Sequence, residues 1–170
     1  RYLHEHPELS EKEEKTTEYI VKELKDLGLE PHRFKNCYGC YVDIKGDKSG
    51  KIVALRADID ALPIKEETGL EFASQNGCMH ACGHDTHMAM LLGAVKMLND
   101  VKSEINGTVR AIFQPSEETA TGAQAVIKEG VLDGVSAIYG SHIWGNFDAP
   151  LVSVESGKRM ASCSSFKIEI

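Results

Sequence analysis

The sequence indicates an α/β domain with a largely parallel sheet and helices packed against it. Segments with the two-residue alternation of β-strands take turns along the chain with segments that repeat apolar residues at helical spacing. The length of 170 residues suits one domain with a sizeable core. Polar residues follow several of the strands directly, where sheets of this class gather their ligands.

Two long helices and one short helix are expected. The first is introduced by a capping-box pattern of Ser10 and Glu13, and Gly28 stands where a helix of this kind ends. The second is expected at residues 85–98, and it is apolar on most sides, which predicts a buried helix. A short helix is expected at residues 123–129, before a glycine.

The expected strands bring polar residues to one edge of the sheet. Asp58 and Asp60 follow one strand, Glu117 and Glu118 follow the next, and His142 ends another. The strands are expected at residues 41–44, 52–55, 109–113 and 135–141, and residues 59–81 are expected to be irregular.

Composition excludes several classes of partner. The formal net charge is -7 and the lysines are scattered among glutamates, so we expect no nucleic acid partner. No apolar run approaches the roughly 20 residues that would cross a membrane, and we expect no membrane partner. Five cysteines without a secretion signal favour reduced thiols in the cytoplasm over a disulfide framework.

Residues 79–87 contain His80, Cys82, His84 and His87, a set that suits a borderline-soft divalent metal. The competing interpretation is a loop with core histidines and a buried thiol. Spacing alone would pair His84 with His87, one helical turn apart, and Cys82 fits more loosely. The cluster therefore predicts a metal and leaves its ligands open.

Adjacent carboxylates diverge, so one member of Glu117–Glu118 could bind metal while the other takes a proton from water. The alternative is a pair of acids favoured by the dipole of the next helix. His142, taken alone, is more often structural. Asp58 and Asp60 either form a charged turn or orient a ligating histidine.

A Cys-x-x-Cys pair and two missing motifs reduce the number of functional classes that the sequence allows. Cys37 and Cys40 form a Cys-x-x-Cys without the second pair that a structural zinc site needs, so we interpret them as ordinary thiols. The sequence contains no Gly-x-Ser-x-Gly elbow and no phosphate-binding loop with its lysine, which disfavours serine hydrolases and nucleotide-binding proteins.

Six motifs lie at residues 3–9, 55–63, 79–87, 113–118, 140–142 and 157–161. In their order and spacing they resemble one family, the aminoacylase and carboxypeptidase G2-like metallopeptidases. The most similar branch holds hippurate hydrolases, auxin-conjugate hydrolases and N-acetyl-diaminopimelate deacetylases. The resemblance covers essentially the whole chain.

The resemblance implies a zinc-peptidase-like catalytic domain, a three-layer α/β sandwich with a mostly parallel mixed sheet. It also implies a site for two divalent ions, zinc or manganese, with cobalt or nickel as alternatives. Cys82 would bridge the ions, His84 and His142 would complete the first, Glu118 would bind the second, and Glu117 would be the general base. His87 would then either support a ligand or be structural.

The reaction implied is hydrolysis of the amide bond of a small N-acyl amino acid by a metal-activated water. A dipeptidase or carboxypeptidase of the same fold is the alternative enzyme. A non-catalytic metal-binding or interaction domain is the alternative from another class.

Two features of the family are missing from the sequence: a late histidine ligand and a smaller lid domain that usually carries a homodimer contact. The chain begins without Met and ends in an alternating segment, so we expect a fragment that is inactive alone. Residues 1–163 would be the N-terminal part of the catalytic domain, and residues 164–170 would be the first strand entering the lid.

Overall fold

A five-stranded sheet with helices on both faces forms the molecule, as seen in a computed structural model that describes residues 1–161, 166, 168 and 169. A single 3-10 turn, Lys102–Glu104, precedes the fourth strand. The helices are α1 (Tyr2–Glu5), α2 (Glu14–Asp26), α3 (His84–Asp100) and α4 (Gly122–Lys128), and the strands are β1 (His32–Arg33), β2 (Cys40–Lys45), β3 (Lys48–Asp58), β4 (Asn106–Gln114) and β5 (Val135–Gly140).

The strand order is β1-β2-β4-β3-β5. Strand β3 is parallel to both β4 and β5, whereas β2 is antiparallel to β4 and to β1. The parallel pairings follow from the connections, because α3 lies between β3 and β4 in the chain and α4 lies between β4 and β5. The α/β class and the mixed sheet are confirmed, with the parallel strands grouped where the polar residues emerge.

The larger part of the core lies between the sheet and the helices α2 and α3. Strand β2 alternates buried and half-buried residues, so one of its faces packs against these helices. The buried members of this cluster include Ile20 and Leu24 of α2, Met88 and Val95 of α3, and Phe113 of β4. Each is fully or almost fully buried, so α3 is fixed firmly against the strands that carry the polar residues.

A smaller cluster covers the other face of the sheet under α4. Phe34, Ala54, Ile112, Val126 and Val131 form it, and all five are buried. Helices therefore lie on both faces, which confirms the three-layer arrangement.

The expected capping box at the start of α2 is wrong. The helix begins at Glu14, and Glu13, the residue before it, makes no side-chain capping hydrogen bond. The Glu8 carboxylate accepts the N–H and the hydroxyl of Thr16 in the first turn, at 2.7 and 2.8 Å. Ser10 instead donates its hydroxyl to Asp60, 2.7 Å away, and the carboxylate of Glu13 accepts hydrogen bonds from Ser116. Both residues are used for tertiary contacts that a local sequence pattern does not reveal.

Helix α3 buries one face only, so the expectation of burial on most sides is wrong. Met88, Leu91 and Val95 are buried, while Met90 is 45% exposed and Met97 is 71% exposed. The exposed methionines lie on the side of α3 that faces away from the sheet.

Residues 59–81 form no helix or strand, as expected, apart from isolated bridges between Leu9 and Ala61 and between Leu62 and Met79. The predicted strand at residues 164–170 lies largely outside the described residues, and the domain boundary at 163 stays a prediction. Among the described residues, no helix has the length and apolar character needed to cross a membrane.

Gly83 precedes α3 in the left-handed conformation, with φ of +88°. A side chain there is strained, and its Cβ would meet Ile143 at 2.3 Å. We expect Gly83→Ala to lower the free energy of unfolding by about 1–2 kcal/mol or more, measured by urea denaturation. Gly93, in the middle of α3 with open space around it, is the matched control, and Gly93→Ala should raise stability by about 0.5–1 kcal/mol. Equal stability of Gly83→Ala and the wild type would contradict the requirement for glycine.

Candidate metal centre

The candidate metal centre lies where the parallel strands end and α3 begins. Asp58 is the last residue of β3, and β4 and β5 end just before the Glu117–Glu118 pair and His142. Helix α3 starts at His84, directly after Cys82 and Gly83. The expectation that the polar strand ends meet at one edge is therefore confirmed for these residues.

Cys82, His84 and His142 form the first potential metal-binding group. Their ligand atoms all lie within 4.8 Å of one another. The Sγ of Cys82 is 3.3 Å from Nε2 of His142. His84 is buried, Cys82 is half-buried and His142 is exposed, so the group opens toward solvent on one side.

Backbone contacts orient both histidines of this group. His84 Nδ1 donates to the carbonyl oxygen of Asp60 at 2.9 Å, and His142 Nδ1 donates to the carbonyl oxygen of Ile143 at 2.5 Å. Each ring thereby keeps Nε2 as the nitrogen with a free lone pair. A neutral imidazole with Nδ1 tied to a backbone carbonyl is the form that binds metals in proteins.

His84, Glu117 and Glu118 form the second potential metal-binding group. His84 Nε2 is 3.7 Å from Glu118 Oε1 and 3.9 Å from Glu117 Oε2. The Glu118 side chain is 20% exposed and the Glu117 side chain is 42% exposed. The two neighbouring carboxylates thus have different environments, one turned inward and one closer to solvent.

These residues fit a divalent cation. Within the described part of the chain, His84 Nε2 and Glu118 Oε1 are buried and have no hydrogen-bond partner, and both belong to the second group. Unpaired buried polar atoms are costly unless a ligand satisfies them. Burial and the negative charges of Glu118 and Glu117 raise the pKa of the Cys82 thiol to about 11. A thiol beside two carboxylates is a set of donors that a cation would bring together.

Asp58, His84 and His87 form a third potential metal-binding group, but His87 uses both ring nitrogens in hydrogen bonds. Its Nδ1 donates to Asp58 Oδ1 at 2.7 Å, and its Nε2 accepts the N–H of Ile143 at 3.0 Å. Both ring nitrogens of His87 are therefore occupied by hydrogen bonds, and the pairing of His84 with His87 as ligands stays a prediction. His87 instead holds the chain segment that carries His142.

Asp58 is the anchor for His87. Burial opposes the ionisation of Asp58, but the hydrogen bond from His87 and the charge of Arg56 outweigh burial and lower its pKa to about 2. Arg56 donates to Asp58 Oδ2 at 2.7 Å and also to Gln114 at 2.9 Å. Asp58 is thus an ionised carboxylate that orients a histidine, rather than part of a charged surface turn.

Asp60 connects three parts of the site. Its carbonyl oxygen accepts from His84, and its Oδ2 accepts both the Ser10 hydroxyl and the backbone N–H of Glu118 at 3.0 Å. Burial works against ionisation of the carboxyl group, but the His84 ring, whose Nδ1 is 3.3 Å from Oδ1, and the hydrogen bonds from Ser10 and Glu118 prevail and lower the pKa of Asp60. Asp60 therefore supports a candidate ligand from each potential metal-binding group.

His4 braces the start of α3, a role that sequence reasoning missed. Its Nδ1 is 2.8 Å from Asp85 and its Nε2 is 2.9 Å from Glu66. Burial lowers the pKa of His4, but the two carboxylates outweigh it, and the net shift is upward. An imidazolium here links α1, the irregular segment and the residue that follows His84. No local periodicity marks this histidine as different from His6.

Cys37 and Cys40 do not take part in the candidate centre. Burial, the main cause, raises the pKa of the Cys40 thiol to about 12 and that of Cys37 to about 11. Both are free thiols, as are Cys78 and Cys82 among the described cysteines. The interpretation of the Cys-x-x-Cys pair as ordinary thiols agrees with this burial.

The raised pKa of His4 makes its contribution to stability depend on pH. The charged form stabilises the fold fully below the unfolded pKa of about 6.5, and this stabilisation is lost as pH rises through the higher folded value. We expect His4→Gln to lower the free energy of unfolding more at about pH 5.5 than at about pH 9. Urea denaturation at both values measures this difference. A loss of the same size at both would mean that His4 acts only as a neutral hydrogen-bonding group.

Comparison with known proteins agrees with the geometry. The N-acetyl-L-cysteine deacetylase of Bacillus subtilis is 46% identical over 100% of this chain and 41% of its own length. The N-acyl-L-amino acid amidohydrolase of Geobacillus stearothermophilus is 43% identical over 100% of this chain and 46% of its own. The chain therefore spans less than half the length of each of these relatives.

A solved structure shows the same architecture. The YXEP protein of Bacillus subtilis, described as a dinuclear metal binding peptidase from the M20 family, matches with a TM-score of 0.83 and 50% identity. The match covers 85% of this chain and 41% of that chain. Residues 54–157, which include the candidate ligands, also match the model of peptidase family M20/M25/M40, and the chain belongs to that family.

Proposed function

We propose that the whole protein is a metal-dependent amidohydrolase that cleaves the amide bond of N-acyl amino acids. The observation that supports this most directly is that two potential metal-binding groups share His84. One group supplies a thiol and imidazoles, and the other supplies carboxylates. Family membership and relatives that are named for deacylation of amino acids favour hydrolysis over metal storage or a purely structural role.

We propose a site for two divalent ions, with Cys82 between them. His84 and His142 would bind one ion and Glu118 would bind the other. The sulfur and nitrogen donors suit zinc, and the carboxylate also suits manganese, with cobalt or nickel as alternatives. The dinuclear character of the YXEP protein supports the count of two.

The chemistry divides between the ions and the side chains. Bound divalent metal would supply a Lewis acid that lowers the pKa of a water and stabilises charge on the amide oxygen. Glu117, the more exposed of the two glutamates, would accept the proton of that water and deliver it to the leaving nitrogen. Glu118 turns inward and is suited to hold a cation rather than to exchange protons.

The substrate and the remaining parts of the protein are proposals as well. The relatives' names indicate a small N-acyl amino acid. Since the chain spans less than half of their length, we propose that it supplies the metal-binding part of a longer enzyme. A lid domain in the remainder would close over the substrate and pair two copies as a homodimer. The described free thiols suit the reducing cytoplasm, where we place the protein.

Removing Cys82 tests the metal assignment. We expect Cys82→Ala to weaken binding of zinc or manganese by about tenfold or more, because the thiolate donor that we propose to lie between the two ions is lost. Metal content of the purified protein and competition with a chelator measure this. Cys78→Ala is the matched control, since Cys78 lies four residues away and belongs to neither group. Equal loss in both variants would contradict the assignment of Cys82.

The two glutamates should separate by function in the whole protein. Glu117→Gln keeps the shape and removes the base, so turnover should fall by about 100-fold or more while metal content holds. Glu118→Gln should instead lower metal affinity at one of the two sites. Turnover of N-acetyl amino acids and bound metal are measured on the same samples. Loss of metal from both variants, without a separate effect on turnover, would show that the division is wrong.

The same assay tests the proposed activity. Wild-type protein supplied with zinc or manganese should hydrolyse N-acetyl and N-benzoyl amino acids faster than dipeptides with a free amino terminus. A preference for the dipeptides would favour a peptidase. Metal binding without hydrolysis of either substrate would favour a non-catalytic metal-binding protein.

A further inference from the structure

Glu13 is a buried acid that the proposed chemistry does not use. It is fully buried, and it directly precedes α2. Its Oε1 accepts the backbone N–H of Ser116 at 2.7 Å and the hydroxyl of Ser116 at 3.1 Å. These contacts cross 103 residues of sequence and end one residue before Glu117. Glu13 is therefore in a position to control the turn that carries both glutamates.

Ser116 has an unusual backbone conformation that needs support. Its φ is +52°, in the left-handed region that residues with a side chain seldom adopt. All of its polar groups are occupied. In addition to the two contacts with Glu13, its hydroxyl accepts the N–H of Glu11 at 3.0 Å, and its carbonyl accepts the N–H of Gly122 at 3.1 Å. The surroundings thus define one conformation of Ser116 and one direction for the chain that follows.

The other side of the turn is held from the same segment. Ser10 donates to Asp60 Oδ2, which also accepts the N–H of Glu118. Residues 8–13, which we call the N-terminal brace, therefore reach the glutamate pair by two routes, through Ser116 and through Asp60. The brace is also bonded to the segment that follows β3, because the backbone carbonyl of Glu8 accepts the N–H of Ala61 at 2.8 Å.

We propose that Glu13 is a positioning residue for the Glu117–Glu118 pair, holding Ser116 in the left-handed conformation that directs both carboxylates toward the metal centre. This inference rests on the proposed function of the two glutamates. Glu13 acts through Ser116 and does not itself touch the centre. Its effect on catalysis is geometric, and a displacement of about 1 Å in a reacting group can lower turnover by about 100-fold.

The conservative variant separates positioning from simple burial. One oxygen of Glu13 makes both contacts with Ser116, while Oε2 is buried without a hydrogen-bond partner among the described residues. Glutamine retains an acceptor oxygen for Ser116, whereas alanine removes it. Glu13→Gln should therefore preserve the turn, and Glu13→Ala should release it.

The experiment compares Glu13→Ala, Glu13→Gln and the control Glu14→Ala in the whole protein with added zinc or manganese. Glu14 is the neighbouring acid, and it is exposed. We expect Glu13→Ala to lower kcat by about 10- to 100-fold with KM changed by less than about threefold, and to weaken binding of one metal. Glu13→Gln should stay within about threefold of wild type in every measurement, because it keeps the acceptor. The control should match the wild type.

Circular dichroism and urea denaturation establish that each variant is folded. If Glu13→Ala does not fold, Glu13→Asp takes its place, because it withdraws the carboxylate by one methylene and should lower kcat in a folded protein. Unchanged kcat and metal affinity in a folded Ala or Asp variant would overturn the proposal, as would a Gln variant as impaired as Ala. If the wild type shows no hydrolysis, the proposed function fails, and metal affinity of the same variants decides the role of Glu13.

Discussion

The hydrogen bond from His84 Nδ1 to the carbonyl oxygen of Asp60 is the contact on which the candidate metal centre depends. It joins the start of α3 to the segment that follows β3, and it leaves Nε2 of His84 facing both potential metal-binding groups. Rotation of the His84 ring would move Nε2 away from the position that the two potential metal-binding groups share. The parallel strands bring these segments together. The carbonyl oxygen of Asp60 then determines which nitrogen of His84 the two potential metal-binding groups share.

Support around His84 comes from a series of hydrogen bonds that joins β3, α3 and the segment after β5. Arg56 holds Asp58, Asp58 holds His87, and His87 accepts from the backbone just after His142. These hydrogen bonds lie in a largely buried region. A polar group without a hydrogen-bond partner there would lower the stability of the fold. These contacts fix the position of His142, which is itself exposed, relative to β3.

Sequence reasoning predicted those features that leave a local signal. Alternation and helical spacing located β2 to β5, α2, α3 and α4, and the strand ends located the polar residues. The two-residue strand β1 and the four-residue helix α1 were not predicted, because elements so short leave no periodic pattern. It failed where the decisive contact is non-local. The Ser10–Glu13 pattern has the residue types of a capping box, but their side chains bond to Asp60 and Ser116. The spacing of His84 and His87 could not show that the second ring is already saturated by its neighbours.

The electrostatics of the centre explain why such an extensive support is needed. Glu117, Glu118 and Cys82 approach one imidazole. Burial and the charges of Glu117 and Asp60 raise the pKa of Glu118 despite the nearby His84, and burial and the charges of both glutamates raise the pKa of the Cys82 thiol. Acidic groups that repel one another would move apart if the backbone allowed it, so the fold must oppose that motion before a cation arrives. A cation would then replace repulsion with attraction and stabilise the folded chain, which couples metal affinity to folding. Rigid backbone contacts at Asp60 and Ser116 are therefore as much a part of the centre as its ligands.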